Sequence, residues 1–504
     1  MFLFDLLRND ASRFPDKAAA IFPAERITFA ELDRQSDRVA AALHARGIGP
    51  GDRVAILCDN DLAPLVYFWG ILKSGAQSVD MPTLAGRSVM QGVIDEAGPK
   101  AIVIDPKQLA KHGGEGGLNL PQLVLSFGDA ETNPPEGRTV LGLSSMLADT
   151  AAPVPTPSIT PDDVAMIVYT SGTTGRPKGA THTRSSLDAV IRQGVAAHDF
   201  TSADRGLEFL PLFHVGGLNI QTLPILSVGG TVLLHRGFDP DAVFDAFEND
   251  GPTVSIIVPT PMQVLIGHPR WTELDAGALR GVMTGSSIVP ADLLDAFNTA
   301  GLRAGQVYGS TETGPTSVVL RFEDADRVGS CGRAIGTAEM RVVDEHGLPA
   351  SVGEVQIRGP HLFAGYWNDA EATAAAFDGE WYRTGDVGEV DPDGWLTILD
   401  RLGDMLITGG ENVYPAEVEP VLASAPGVAE LTVIGLPDER WGQTPVAVVV
   451  AADGQEPTIE SMREHGGARL ARYKLPTRLE LVEALPRTAL GKVRKNELVA
   501  RFSR

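Results

Sequence analysis

The sequence predicts an α/β protein built on mostly parallel sheets, with a small antiparallel β unit and a separate α+β region at the C-terminal end. Three observations predict it. At 504 residues the chain is long enough for two or more domains with large buried cores. Strand and helix patterns alternate from the N-terminus to about residue 320, as expected of helices layered on a parallel sheet. From about residue 338 the pattern changes to short strands with tight turns, and over the last hundred residues to mixed helix and strand.

The elements follow in order. ITFAELDRQSDRVAAALHARGI opens with Thr28-x-x-Glu31, a helix-capping signal, and continues with apolar residues three and four apart. DRVAILC reads as a short buried strand, APLVYFWGILKSG as a helix and AIVID as another strand. Residues 106–161 are richer in Gly, Pro, Asp and Thr, and DTAAPVPTPSITPDD reads as surface linker. The strand VAMIVY then runs into a Gly/Thr-rich loop. AEMRVVDEHGLPASVGEVQIRG and GEVDPDGWLTILD carry the turn signals His346-Gly347 and Asp393-Gly394, which make residues 338–400 the antiparallel unit. In the last hundred residues AEVEPVLAS and SMREHGGARLARY are helical, AELTVIGL and TPVAVVVAA are strands, and the tail is basic.

Composition excludes several function classes. The net charge of -23 argues against coating nucleic acid or an anionic membrane, since both need a basic footprint. It leaves room for a small anion held by a few local cations. The two cysteines, Cys58 and Cys331, have no CxxC partner, so neither a disulfide framework nor a zinc site is expected. The N-terminus lacks the long apolar core of a signal peptide. The longest apolar run, from Leu62 to Leu72, is about half of the roughly 20 residues that span a bilayer. The expectation is a cytoplasmic protein with no integral membrane segment.

Five motifs carry chemistry. YTSGTTGRPKG, residues 169–179, packs Gly, Thr and Ser into a loop closed by Lys178, supplying backbone freedom, donors and charge for a polyphosphate. It does not fit the GxxxxGK[ST] pattern, and its composition is also that of an ordinary flexible loop. In VYGSTETG, residues 307–314, Tyr308 is suited to stacking on a base, and Thr311 and Glu312 to holding magnesium near phosphate; taken alone, a strand end with a capping acid reads equally well. In WYRTGD, residues 381–386, Asp386 suits paired ribose hydroxyls or simply a turn. DRLGDMLITGGENVYPAEVE, residues 400–419, offers Arg401 for ribose or phosphate and Gly403, Gly409 and Gly410 for backbone freedom. LPRTALGKVRK, residues 485–495, places Lys492 after a glycine, where a lysine is ordinarily just solvated.

In this order and spacing the five resemble the adenylate-forming superfamily, which includes acyl-CoA synthetases, peptide-synthetase adenylation domains and luciferases. The resemblance runs from about residue 8 to 500, and ITGGENVYPAEVE with ARYKLP…LPRTALGK is most similar to the fatty-acid and aryl-acid CoA ligases. It implies a large N-terminal adenylation domain, residues 1–402, with a β-barrel-like unit, and a small mobile C-terminal lid, residues 403–504. It implies ATP, Mg2+ and coenzyme A, with a small carboxylic acid as substrate. The acid would attack the α-phosphate, pyrophosphate would leave, and the acyl-AMP would pass its acyl group to the CoA thiol. Such catalysis is mainly positioning and charge neutralisation.

By that resemblance Thr170, Ser171, Gly172, Thr173, Thr174 and Lys178 cradle the β- and γ-phosphates, and Thr170 with Glu312 forms the magnesium side. Tyr308 stacks on adenine with Gln306 and Val307 at its edge, and Gly309 and Thr311 complete the nucleotide contacts. Asp386 and Arg401 hold the ribose. Lys492 bridges carboxylate and α-phosphate oxygens, and His214 in LPLFHVGGLN gates the acid pocket from the ATP site, although a histidine among apolar residues is commonly just packed. The lid then rotates to bring Gly409-Gly410 to the thiol tunnel. A homodimer is the implied oligomer.

The chain departs from the family pattern at Gly403, where Lys or Asp is usual, and at GAQSVDMPTLAG. The expected pocket walls, FHVGGLNIQT, VPTPMQVL, MTGSS and GSTETGPT, show no cation for a second carboxylate, which favours a fatty or aryl acid. Arg236 lies nearby but reads as part of a surface turn. The rival readings are a stand-alone enzyme loading a carrier protein, a luciferase-like oxygenase and a silent nucleotide-binding regulator. Intact Lys178, Glu312, Asp386, Arg401 and Lys492 argue against the last.

Overall fold

The computed structural model describes residues 2–23, 25–114, 116–128, 137–149, 156–170, 177–274, 277–285, 289–467, 469–487 and 493–503. Among these residues the chain forms an α/β fold whose two largest sheets are mostly parallel.

The helix Phe29–His44 starts where the capping signal places it. Thr28 Oγ1 accepts from the Glu31 N–H at 3.2 Å, and Glu31 Oε2 accepts from the Thr28 N–H at 2.8 Å. It packs on the helix Leu62–Ser74, every residue of which is buried. That explains why the second helix shows no amphipathic period in the sequence.

In the first sheet, of nine strands, Ala304–Tyr308, Gly281–Thr284, Val254–Ile256, Arg205–Glu208, Thr231–Leu234 and Ala18–Phe22 run parallel in that spatial order. Ala18–Phe22 therefore pairs with a strand about 210 residues further on, in the register Ala20↔Val232, while its other edge meets Glu25–Thr28. The second sheet, of eight strands, holds Val164–Thr170 beside Gln77–Asp80, followed by Arg53–Leu57, Ala101–Ile104, Leu123–Ser126 and Thr139–Gly142, all parallel. Within residues 338–400 the strands Glu339–Val343, Val352–Arg358, Phe377–Asp378, Trp381–Val390 and Leu396–Arg401 form a five-stranded sheet, where Trp381–Val390 pairs antiparallel with both Phe377–Asp378 and Leu396–Arg401, while Gly365–Tyr366 joins the eight-stranded sheet.

The chain divides into two compact units, one of Met1–Met340 with Ile357–Tyr382, the other of Arg341–Gln356 with Arg383–Arg504. The first has its main cores under the two large sheets, around Trp69, Tyr67 and Leu65, and around Phe244, Phe247 and Phe297. The second has a core of Leu406, Val418, Leu422, Val433 and Val449 between helix Pro415–Ala423 and strands Val428–Asp438 and Gly442–Ala451. Among the described residues no helix is long and apolar enough to cross a membrane.

Candidate functional site

In the first unit, strand Val164–Thr170 reverses into Lys178–Thr183, and the antiparallel register sets Thr170 opposite Lys178. Thr170 Oγ1 donates to the Lys178 carbonyl at 3.4 Å. The two ends of the Gly/Thr-rich stretch are thus held side by side at the tip of the sheet. Ser171, Gly172, Thr173 and Thr174 lie outside the described residues.

The strand Ala304–Tyr308 leads into the second motif. The main chain folds back closely at Gly309, where a Cβ would lie 2.5 Å from the Pro315 carbonyl oxygen, so a side chain does not fit. The turn is closed by Ser310 N–H donating to Thr313 Oγ1 at 2.7 Å and Ser317 N–H donating to the Tyr308 carbonyl at 3.1 Å. This buries Thr311 and Glu312. His182 Nε2 donates to the Thr311 carbonyl at 2.8 Å, and burial holds this imidazole below its usual range, hence neutral. Gln306 donates from Nε2 to the Ser330 carbonyl at 3.1 Å, and the Val307 side chain packs with Ile256, Met283 and Val319. At these two positions the side chains serve the sheet.

Glu312 is tied to a segment that sequence reasoning missed. Tyr366 donates its hydroxyl to Glu312 Oε1 at 2.9 Å, and Phe363 N–H donates to the Glu312 carbonyl at 2.8 Å. The Lys178 ammonium sits 4.9 Å from the centroid of the same Tyr366 ring. Tyr366 therefore brings together residues from two motifs. The signal for it was the aromatic cluster in HLFAGYW, residues 361–367, which carries no motif of its own.

His214 is half-buried, and its Nδ1 accepts from the Gly216 N–H at 3.0 Å, which leaves the proton of the neutral ring on Nε2. The chain continues as a π-helix, Gly216–Thr222, a geometry enriched at functional sites. Arg236 is engaged elsewhere, pairing with Asp61 at 3.2 Å and lying over the Phe22 ring.

In the second unit the register places Asp386 directly opposite Arg401, and Arg401 Nε meets Asp386 Oδ1 at 2.7 Å. The carboxylate is 12% exposed and the guanidinium 52%, so the pair presents its cationic side outward. Gly409 and Gly410 both have positive φ in the turn between Leu406–Thr408 and Glu411–Val413, and a Cβ on Gly409 would lie 2.9 Å from the Trp441 ring. Gly403, by contrast, has no left-handed φ, and a Cβ there would meet nothing within 4 Å. Lys492 lies outside the described residues; Arg487 and Val493 on either side of it face each other across an antiparallel bridge.

A magnesium ion carried by a nucleotide asks for one or two protein oxygens beside the phosphates. Glu312, buried and fixed in rotation by Tyr366, fits that demand. Among the described residues no cluster of three or more His, Cys, Asp or Glu would hold an ion without a nucleotide.

Comparison with known proteins gives the family. The family model for AMP-binding enzymes matches residues 7–367, and that for the AMP-binding enzyme C-terminal domain matches residues 417–492. The chain is 38% identical to an indoleacetate–CoA ligase of Aromatoleum aromaticum, covering 99% of each, and 36% identical to a long-chain-fatty-acid–CoA ligase of Mycobacterium tuberculosis, covering 99% of this chain and 98% of the relative. The structure of an o-succinylbenzoate CoA synthetase from Bacillus subtilis, solved with its acyl-adenylate intermediate, superposes with a TM-score of 0.84 at 29% identity, covering 98% of this chain and 97% of the other. The chain belongs to the AMP-binding enzyme family, in the acyl-CoA synthetase branch of the adenylate-forming superfamily.

Proposed function

We infer that the protein is an ATP-dependent, AMP-forming acid:CoA ligase. A carboxylate oxygen bonds to the α-phosphorus of ATP and pyrophosphate leaves. The CoA sulfur then bonds to the acyl carbon, its proton is lost, and AMP leaves. The observation that carries this reading is the assembly of Lys178, with Thr170 opposite it, and Glu312 on Tyr366 at the end of a mostly parallel sheet, where α/β proteins bind ligands.

The chain's residues divide the work as follows. Lys178 and the Gly/Thr-rich stretch neutralise the β- and γ-phosphates, and Tyr308 stacks on adenine. Glu312 and Thr170 hold the Mg2+ that arrives with ATP, an ion that would offset charge on the phosphate oxygens. Asp386 accepts from the ribose hydroxyls with Arg401 beside it, and Lys492 supplies a point charge between carboxylate and α-phosphate. His214, with its proton on Nε2, faces the acid as a gate. The adenylation domain spans residues 1–402 and the lid residues 403–504, with the turn at Gly403 as hinge. We place the enzyme in the cytoplasm, as a homodimer.

The acid is fatty or aryl. Among the described residues of the expected pocket walls no Lys or Arg stands ready for a second carboxylate, and nearby Arg236 is spent on Asp61. Two of the relatives carry names of an aryl acid and a fatty acid. The test is mass spectrometry of protein incubated with MgATP, CoA and acids from acetate to long-chain fatty acids, with benzoates, cinnamates and malonate. Acyl-CoA with matched AMP from a fatty or aryl acid is the expected result. Acyl-AMP without thioester would point instead to carrier-protein loading, and product from malonate alone would overturn the substrate class.

Asp386→Ala removes the ribose acceptor and leaves Arg401 without the partner that orients it. The apparent KM for ATP is expected to rise by about tenfold or more. An unchanged ATP titration would contradict the assignment.

A further inference from the structure

Tyr366 occupies a position that none of the five motifs explains. Its strand, Gly365–Tyr366, is the outer partner of Lys178–Thr183, with Tyr366 opposite Ala180. The Ala364 N–H donates to the Thr181 carbonyl and the Trp367 N–H to the Gly179 carbonyl, both at 2.7 Å. Tyr366 N–H itself donates to Thr373 Oγ1 at 2.8 Å. The main chain on either side of the tyrosine is therefore fixed to the strand that begins with Lys178.

The side chain is equally constrained. Its hydroxyl donates to Glu312, and its ring packs in one apolar cluster with Tyr382, the tyrosine of the WYRTGD motif. Phe363 packs edge-on against both tyrosine rings, with centroids 4.9 Å and 5.4 Å away. Tyr382 itself is buried. One ring thus holds a carboxylate at its hydroxyl end and a lysine ammonium at its face, and neither charge needs the other to stay in place.

We propose that Tyr366 is a positioning residue for nucleotide and metal binding: its hydroxyl fixes the rotation of Glu312, its ring holds the Lys178 ammonium, and Phe363, packed against that ring, fixes Tyr366 in turn. This rests on the assignment of Glu312 to the metal side and Lys178 to the phosphates. Both groups are set before ATP arrives, so binding does not spend free energy ordering two side chains. The hydroxyl acts on the metal-dependent part of ATP binding and the ring on the phosphate-dependent part, so the two can be separated.

The test compares Tyr366→Phe, which keeps the ring, with Tyr366→Leu, which removes it. ATP affinity is measured by calorimetry in Mg2+ and again in EDTA, alongside thermal unfolding. Tyr366→Phe is expected to weaken ATP binding in Mg2+ by about tenfold, the loss expected for a hydrogen bond to a charged group, and to leave binding in EDTA unchanged. Tyr366→Leu weakens binding in both. Glu312→Gln is measured in parallel, and adding Tyr366→Phe to it produces no further loss in Mg2+, because the hydroxyl acts only through that carboxylate. An equal loss with and without metal, or fully additive losses in the double variant, would show a merely structural tyrosine and overturn the proposal. If Glu312→Gln alone leaves the Mg2+ dependence intact, the metal-side assignment of Glu312 falls and this proposal falls with it. A metal-dependent loss in Glu312→Gln but none in Tyr366→Phe sinks only the role of Tyr366.

Discussion

Lys492→Ala is expected to slow acyl-AMP formation by about a hundred- to a thousandfold, the usual cost of removing one preorganised charge or donor from a transition state. It should largely spare thioester formation from supplied acyl-AMP. The asymmetry follows from where charge develops. In the first step an anionic carboxylate approaches an anionic phosphate, and a cation between them lowers a repulsion that no neutral side chain can offset. In the second step the pyrophosphate has gone and the acyl carbon is attacked by sulfur, so a cation at the α-phosphate has less to do. Lysine suits the first role because its charge is compact and carried on a flexible stem. Pyrophosphate exchange measures the first half-reaction, and CoA consumption with synthetic acyl-AMP measures the second. An equal fall in both would remove Lys492 from the adenylation step.

The pH dependence of stability should change measurably in Asp80→Asn. Asp80 ends strand Gln77–Asp80, between Arg53–Leu57 and Val164–Thr170, in register with Val168. It is 3% exposed; Oδ1 accepts from the Ser78 hydroxyl at 2.7 Å, and Oδ2 has no partner among the described residues. Burial, only partly offset by the Ser78 hydroxyl, pushes the carboxyl up to about 7. The folded state therefore favours the protonated acid. Its contribution to stability is full below the unfolded value near 4 and is lost as pH rises through about 7. Three units correspond to roughly 4 kcal/mol, an upper figure because buried charges recruit water and relaxation. Asparagine keeps the shape and the acceptor for Ser78 but cannot ionise. The variant should melt close to the parent at pH 4 and several degrees above it at pH 7.5, with the gap opening between about pH 4 and 7 and level above that. Parallel melting curves across that range would mean that Asp80 is solvated or paired when ionised. In the GAQSVDMPTLAG stretch the residue thus places an ionisable group inside the sheet, next to the strand that ends at Thr170.

What the sequence disclosed and what it withheld follow from range. Thr28 and Glu31 are three residues apart, so their capping box is legible in the string and is present in the structure. The alternation of strands and helices likewise gave the layered α/β fold, because each element's pattern is local. Asp386 and Arg401 were named separately, and their pairing follows from a hairpin whose turn, Asp393-Gly394, is itself a local signal. Tyr366 and Glu312 are 54 residues apart and meet only because the turn after strand Ala304–Tyr308 lies against the segment that pairs with Lys178–Thr183. No period or turn signal encodes such a contact. Strand order in the large sheets was hidden for the same reason. At Gln306 and Val307 the pleat directs the side chains into the sheet's own bonds and packing, which no motif in the string announces.

The partnership of Ala18–Phe22 with Thr231–Leu234 bears on how the protein is made. A ribosome adding about 5–20 residues per second needs roughly ten to forty seconds to travel from one strand to the other. Through that interval the nascent chain carries AAAIF, an apolar segment, with the hairpin partner Glu25–Thr28 on one side and no mate on the other. An exposed strand edge is an aggregation hazard. Newly synthesised chains therefore have a window in which a holdase or lower temperature raises yield, and the window closes when Thr231–Leu234 clears the exit tunnel.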